Sequence, residues 1–151
     1  MAHDSVIHLP TKHDYAELSR LWEASVRATH DFLPENYITL LRHLLETQYL
    51  ATVNLFCTRD SQRHITGFAG TSRSKLEMLF IAPDCRAKGL GKTLLDHAIE
   101  HFQVTELDVN EQNPQALGFY EKQGFVVVGR SEVDGLGRPY PMLRMRLAQK
   151  G

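Results

Sequence analysis

The strongest constraint on the fold lies between Lys75 and Phe102. An apolar run, Leu76-Glu77-Met78-Leu79-Phe80-Ile81, breaks at Ala82-Pro83-Asp84. The chain then turns through Arg86-Ala87-Lys88-Gly89-Leu90-Gly91-Lys92 into a segment whose apolar residues, Leu90, Leu94, Leu95, Ala98, Ile99 and Phe102, fall on one helical face. The order is strand, glycine loop, helix. Such a junction aims backbone N–H groups and the positive end of a helix dipole at one point, which suits an anion, most often a phosphate. The strand is apolar on both faces except at Glu77, the pattern of a central strand covered on both sides.

Two short motifs offer other readings of this stretch. Gly91-Lys92-Thr93 looks like the end of a nucleotide P-loop, but that pattern needs a glycine five residues before Gly91, where Arg86 stands. His97-Ala98-Ile99-Glu100-His101 matches the H-x-x-E-H of a zinc peptidase helix. Both histidines sit at the polar edge of the apolar stripe, and no third ligand is evident nearby, so no metal site is expected.

Bulk properties narrow the field. A chain of 151 residues is most simply one domain with room for a core. A net charge of -1 gives no reason to expect nucleic acid or a membrane surface as partner. Any anion site must draw on local charge, such as Arg86, Lys88 and Lys92. No apolar run approaches the roughly 20 residues of a membrane span. Met1-Ala2-His3-Asp4 lacks the features of a signal peptide. Cys57 and Cys85 form no framework and read as free thiols of a reducing compartment. The expectation is a cytoplasmic protein, monomer or homodimer.

Taken in order, Val6–Leu9 is a short strand candidate, closed by Pro10-Thr11. Tyr15–Ala28 reads as a helix, with Leu18, Leu21, Trp22 and Val26 near the 3.6 period. A second helix begins at Pro34 and ends near Tyr49, carrying Ile38, Leu41, Leu44 and Leu45. Thr52–Cys57 and Ile65–Gly70 read as an antiparallel hairpin, with Gly67 and Gly70 as candidate bulge markers. After the glycine-loop helix, Glu106–Val109 is a strand parallel to the one before it. Gln115–Gln123 is a helix entered through Asn113-Pro114 and stopped at Gly124. Phe125–Val128 and Leu143–Leu147 close the chain as a strand pair. No repeat, low-complexity segment or linker divides residues 1–151.

Two motifs in this order resemble one family. Ile81-Ala82-Pro83-Asp84-Cys85-Arg86-Ala87-Lys88-Gly89-Leu90-Gly91 resembles the acetyl-CoA pyrophosphate loop of the GNAT N-acetyltransferases, V-x-P-x-x-[RQ]-x-x-G-x-[GA]. Asn113, Ala116, Phe119, Tyr120, Gly124 and Phe125 resemble that superfamily's second motif. The resemblance spans nearly the whole chain. It implies an α/β (α+β) fold: a mixed, mostly antiparallel, twisted sheet of six to seven strands with a central parallel pair, flanked by about four helices. It also implies acetyl transfer from acetyl-CoA to a primary amine, of a small molecule or of a protein lysine or N-terminus, by direct transfer in a ternary complex. A non-catalytic acyl-CoA-binding module on the same fold is the rival reading.

The resemblance assigns roles. Backbone groups from Ala87 through Lys92 (Ala87, Lys88, Gly89, Leu90, Gly91, Lys92) cradle the pyrophosphate, with charge from Arg86, Lys88 and Lys92. The backbones of Leu79, Phe80 and Ile81 hydrogen-bond the pantetheine like an added strand. Tyr120 falls near the thioester sulfur. A phenol with a reference pKa of about 10 is protonated at neutral pH and can donate to a thiolate. Asn113 either hydrogen-bonds the cofactor or caps the Tyr120 helix. The base is Glu77, whose burial in an apolar strand can raise its pKa, or Asp108, which aligns with the base of some protein N-terminal acetyltransferases. The connector residues His30 and Asp31 are a third possibility. Together with Phe32 they belong to the segment that lines the acceptor pocket in related enzymes. Neither cysteine occupies a nucleophile position, so no acyl-enzyme is expected.

Overall fold

The computed structural model describes residues 7–148. Four helices and six strands follow the expected order: α1 Tyr15–Thr29, α2 Glu35–Leu44, β1 Asn54–Arg59, β2 Ile65–Ser72, β3 Lys75–Ile81, α3 Leu90–Phe102, β4 Glu106–Asn110, α4 Pro114–Lys122, β5 Phe125–Ser131 and β6 Met142–Leu147. The strands form one sheet in the order β1-β2-β3-β4-β6-β5. Only β3 and β4 run parallel; the other neighbours are antiparallel. Of the strand expected at Val6–Leu9, Val6 lies outside the described residues. His8 makes one antiparallel bridge to Cys57, with N···O distances of 2.9 and 2.8 Å.

Alternating side chains feed a core on each face of the sheet. On one face Phe56, Ala69, Leu76 and Leu107 pack with Leu94, Leu95 and Ala98 of α3. On the other, Cys57 and Phe68 pack with Leu18, Leu21, Trp22 and Val26 of α1 and Ile38 of α2. Leu94 and Leu95 are fully buried, and each such leucine contributes about 1.5–3 kcal/mol. β2 carries both layers, and its residues are buried from Ile65 through Thr71. The two glycines in it have a packing reason. A Cβ on Gly67 would stand 2.7 Å from Ile81 Cδ1, and one on Gly70 would stand 2.7 Å from Val53 Cγ2.

Two irregularities shape the centre. Gly70 pairs with Met78 while Thr71 pairs with Leu76, so Glu77 is an extra residue in β3. The bulge bends the strand. Beyond it, Leu79 and Ile81 pack against the α3 core and Met78 and Phe80 against the α1 core. The parallel pairing of β3 with β4 is confined to Lys75↔Glu106 and Leu76↔Leu107. The strands then part, and the C-terminal half of β3 has no partner on that side. Glu77 itself is exposed, which corrects the expectation of a buried carboxylate: the bulge turns it out of the core.

Helix 2 also differs from its sequence reading. Regular α-helix stops at Leu44, and Leu45–Tyr49 continues with π-type pitch into a 3-10 turn at Leu50–Thr52. This widening keeps both Leu45 and Leu50 buried and delays β1 to Asn54.

Candidate active site

Two clefts lie end to end along β3. Leu79, Phe80 and Ile81 line the first, of about 330 Å³; Glu77 and Met78 line the second, of about 530 Å³. Met78 of the second cleft directly precedes Leu79 of the first along β3.

The glycine loop forms one wall of the first cleft. Ala87 and Gly89 have positive φ, 64° and 80°. The first main-chain bond of α3 runs from Thr93 N–H to Gly89 O at 3.0 Å. Helix geometry leaves the N–H groups of Gly89, Leu90, Gly91 and Lys92 without intrahelical acceptors, and no other acceptor meets them among the described residues. A Cβ on Gly91 would stand 3.4 Å from Phe119 Cζ, in contact with α4. A row of free N–H groups at a helix N-terminus fits a pyrophosphate. Arg86 also lines the cleft, its guanidinium 3.4 Å from Ser25 Oγ in α1. Lys92 Nζ sits 2.6 Å from Asp96, which raises its pKa and partly satisfies its charge. Lys88 lines neither cleft.

The far wall comes from α4. Asn113 caps this helix by accepting from Ala116 N–H at 3.2 Å. It is 8% exposed, lines the cleft, and its amide NH₂ has no acceptor among the described residues. Tyr120 lines the same cleft at 9% exposure. Its hydroxyl has no hydrogen-bond partner among the described residues, and burial pushes its pKa well above the usual phenol range. The site therefore holds a protonated, unpartnered O–H.

The connector after α1 links the clefts. His30 lines the first cleft, and burial, then the charge of Arg86, pull its pKa below the usual imidazole range while Asp31 opposes them. Its ring contacts Phe32 at 5.4 Å, and Phe32 contacts Tyr140 at 5.9 Å. Tyr140 belongs to the second cleft and stacks on Tyr37 at 5.4 Å. Asp31 and Phe32 line neither cleft directly.

The second cleft has an acidic and aromatic lining: Glu77, Asp134, Tyr37, Tyr49 and Tyr140, with Asn110. Asp134 pins the β5–β6 loop to α2. It accepts from the Tyr37 hydroxyl, and its other oxygen accepts from the N–H groups of Leu136 and Arg138 at 3.0 and 2.9 Å. The Arg138 guanidinium lies over the Tyr37 ring, 4.4 Å from its centroid.

Asp108 stands apart. Its carboxylate binds Lys75 Nζ at 2.7 Å and lines neither cleft. His97 and His101 stack at 4.4 Å, with His97 packed on Phe56 at 4.6 Å. Among the described residues no group of three or more His, Cys, Asp or Glu side chains could hold a metal ion. No described helix is long and apolar enough to cross a membrane. The sequence reading gave no site role to Ser25, Tyr37, Tyr49, Asn110 or Asp134. Asp134 had a signal, the Asp-Gly-Leu-Gly turn, that spoke for loop geometry and not for a cleft.

A model of the acetyltransferase (GNAT) domain matches residues 31–147. The chain belongs to the GNAT acetyltransferases. It is an enzyme of acetyl transfer to an amine, with acetyl-CoA as co-substrate. Among relatives of this GNAT enzyme, the peptidyl-lysine N-acetyltransferase YjaB of Salmonella typhimurium is 43% identical over 136 residues, 89% of this chain and 93% of that protein. The solution structure of apo-form YjaB from Escherichia coli is 40% identical, with a TM-score of 0.87 over 96% of this chain and 98% of that one. The PaiA N-acetyltransferase of Thermoplasma acidophilum, solved with coenzyme A, shares the fold at 21% identity and a TM-score of 0.73 over 93% of this chain and 98% of that one.

Proposed function

We propose that this GNAT enzyme acetylates lysine side chains of proteins, by direct transfer from acetyl-CoA within a ternary complex. The observation that carries the reading is that consecutive residues of β3 line the two clefts, Glu77 and Met78 the second and Leu79, Phe80 and Ile81 the first. A thioester lying along Leu79–Ile81 faces an amine that arrives past Glu77. The carboxylates and tyrosine rings of the second cleft suit a cation on a slender apolar stem, by charge and cation–π contact. The names of the YjaB relatives, which act on peptidyl-lysine, agree with that chemistry.

In this reading the free N–H groups of Gly89–Lys92 and the Arg86 guanidinium hold the pyrophosphate. The unpaired NH₂ of Asn113 holds a carbonyl of the pantetheine arm. A main-chain N–H of β3 stabilises the oxyanion of the tetrahedral intermediate. Tyr120 gives its proton to the departing thiolate. Asp108 has a structural job, as the partner of Lys75. We read the chain as one domain working in the cytoplasm.

The test is release of CoA thiol on mixing the protein with acetyl-CoA and lysine-containing peptides, small polyamines or peptides with only a free N-terminus. Lysine peptides should give the highest kcat/KM, with acetyl on Nε by mass spectrometry. Acetyl-CoA binding without CoA release from any amine would instead favour the non-catalytic module.

A further inference from the structure

The end of α1 carries a directed chain of hydrogen bonds. Thr29 Oγ1 lies 2.8 Å from Ser25 O and 2.7 Å from His30 Nδ1. A carbonyl oxygen only accepts, so the single hydroxyl proton of Thr29 goes to Ser25. The proton between Thr29 and His30 must then sit on Nδ1. The other ring nitrogen, Nε2, is left with its lone pair open. No protein group bonds to it among the described residues.

The ring stands between the two substrates' paths. It lines the first cleft with Phe80 and Arg86, and through Phe32 it touches the Tyr140 wall of the second. The titratable groups around it are Arg86 and Cys85 from the glycine loop, Asp31 beside it, and Tyr120 and Lys92 from across the cleft. The two carboxylates suited by type to act as base are placed otherwise. Asp108 is held by Lys75, and Glu77 lies exposed on the acceptor side.

We propose that His30 Nε2 is the proton acceptor that turns the acceptor's ammonium into the attacking amine, with Thr29 as the positioning residue that fixes its tautomer. The proposal rests on the acetyltransferase reading above. The ammonium gives one proton to Nε2, directly or through a water, and His30 later releases it to solvent. The amine lone pair forms the N–C bond and the carbonyl becomes an oxyanion. When the C–S bond breaks, Tyr120 protonates the thiolate sulfur and recovers a proton from the new N–H⁺. The products are the amide, CoA thiol and one proton.

The experiment follows CoA release from acetyl-CoA and a lysine peptide between pH 5 and 10, for the wild type, His30→Gln and Thr29→Val. The wild-type kcat/KM should rise at low pH along a limb with an apparent pKa below the reference imidazole value of about 6.5, then stay flat. His30→Gln should lose about 10²–10³-fold at pH 7, and its rate should climb with pH through the whole range. The acetyl-CoA dissociation constant from calorimetry should stay put. Thr29→Val, which keeps the ring, should lose about fivefold, the size of one hydrogen bond, and move the limb to lower pH; Thr29→Ser should restore both. A His30→Gln enzyme within threefold of wild type with the same profile overturns the proposal and leaves the acetyltransferase reading intact. An unmoved limb in Thr29→Val does the same if His30→Gln fails to fold. A wild type that releases no CoA with any amine overturns the parent reading, and this one with it.

Discussion

Replacing Tyr120 by phenylalanine should separate stability from turnover. A buried tyrosine usually donates to something, and removing its hydroxyl then costs about 1 kcal/mol. Here the residue is 9% exposed and its hydroxyl has no partner among the described residues, so no bond is lost. The deletion removes a polar atom that has no protein partner among the described residues. Stability should stay level or rise by up to about 1 kcal/mol. In a chain of this size 1 kcal/mol is about 2–4 °C in Tm. Turnover should move the other way. A general acid contributes about 10²–10⁴-fold, or about 3–5 kcal/mol of barrier at 1.36 kcal/mol per tenfold. Calorimetric melting, acetyl-CoA titration and CoA-release kinetics on the same preparation read all three quantities. The expected outcome is Tm unchanged or higher, acetyl-CoA affinity within about twofold, and kcat down at least 100-fold, in line with the acid's share. A Tm drop of several degrees would reveal a hydrogen bond that the free site does not contain. A kcat within threefold of wild type would remove Tyr120 from the chemistry.

Four further outcomes follow from the geometry. Gly89→Ala meets nothing within 4 Å, yet its φ of +80° strains an L-residue; melting should fall by the equivalent of about 1 kcal/mol, with weaker acetyl-CoA binding by calorimetry, and an unchanged Tm would refute the strain. Asp108→Asn removes the ion pair with Lys75 and should cost about 0.2–1 kcal/mol with kcat unaltered in the CoA-release assay; a collapse of kcat would return Asp108 to the list of bases. Cys57 is fully buried, its thiol pushed up to about 11 by burial, and should ignore a disulfide reagent at pH 8 until the chain unfolds. Cys85, raised by burial and its bond to Asp84, should react slowly, and more slowly still with acetyl-CoA present if the first cleft, which Cys85 lines, takes the co-substrate as proposed.

Most of the first cleft's walls were legible because they are local. The helix N-terminus and its glycines are contiguous in sequence, the capping asparagine sits directly before its own helix, and the geometry of each follows from short-range rules. The acceptor side was legible only in fragments. Tyr37 falls within the second helix without a role of its own and Asp134 reads as a turn residue; their contact spans 97 positions of chain, and nothing in either neighbourhood announces it. Glu77 is the instructive case. Sequence marks it as a lone acid in a strand, but the bulge that turns it outward is a property of how β2 and β3 pair, and a one-residue slip in pairing changes which face a side chain occupies. Helix 2 misled for a related reason. The apolar spacing through Leu44, Leu45 and Tyr49 supports continued α-helix, while burial of both Leu45 and Leu50 is met by wider pitch.

The two-residue pairing of β3 with β4 has a consequence for the free protein. It leaves an open strand edge inside the molecule. Exposed at a sheet's rim, such an edge invites another chain to pair with it, and proteins usually blunt it with charge or proline. Here Met78–Ile81 carries neither, and the protection comes from position, since Leu79, Phe80 and Ile81 line a cleft between the glycine loop and α4. An extended ligand bearing amides can satisfy it where a neighbouring protein cannot. If such a ligand binds there, amide hydrogen exchange should slow at the β3 N–H groups that point away from β2, while those bonded to β2 stay protected in both states.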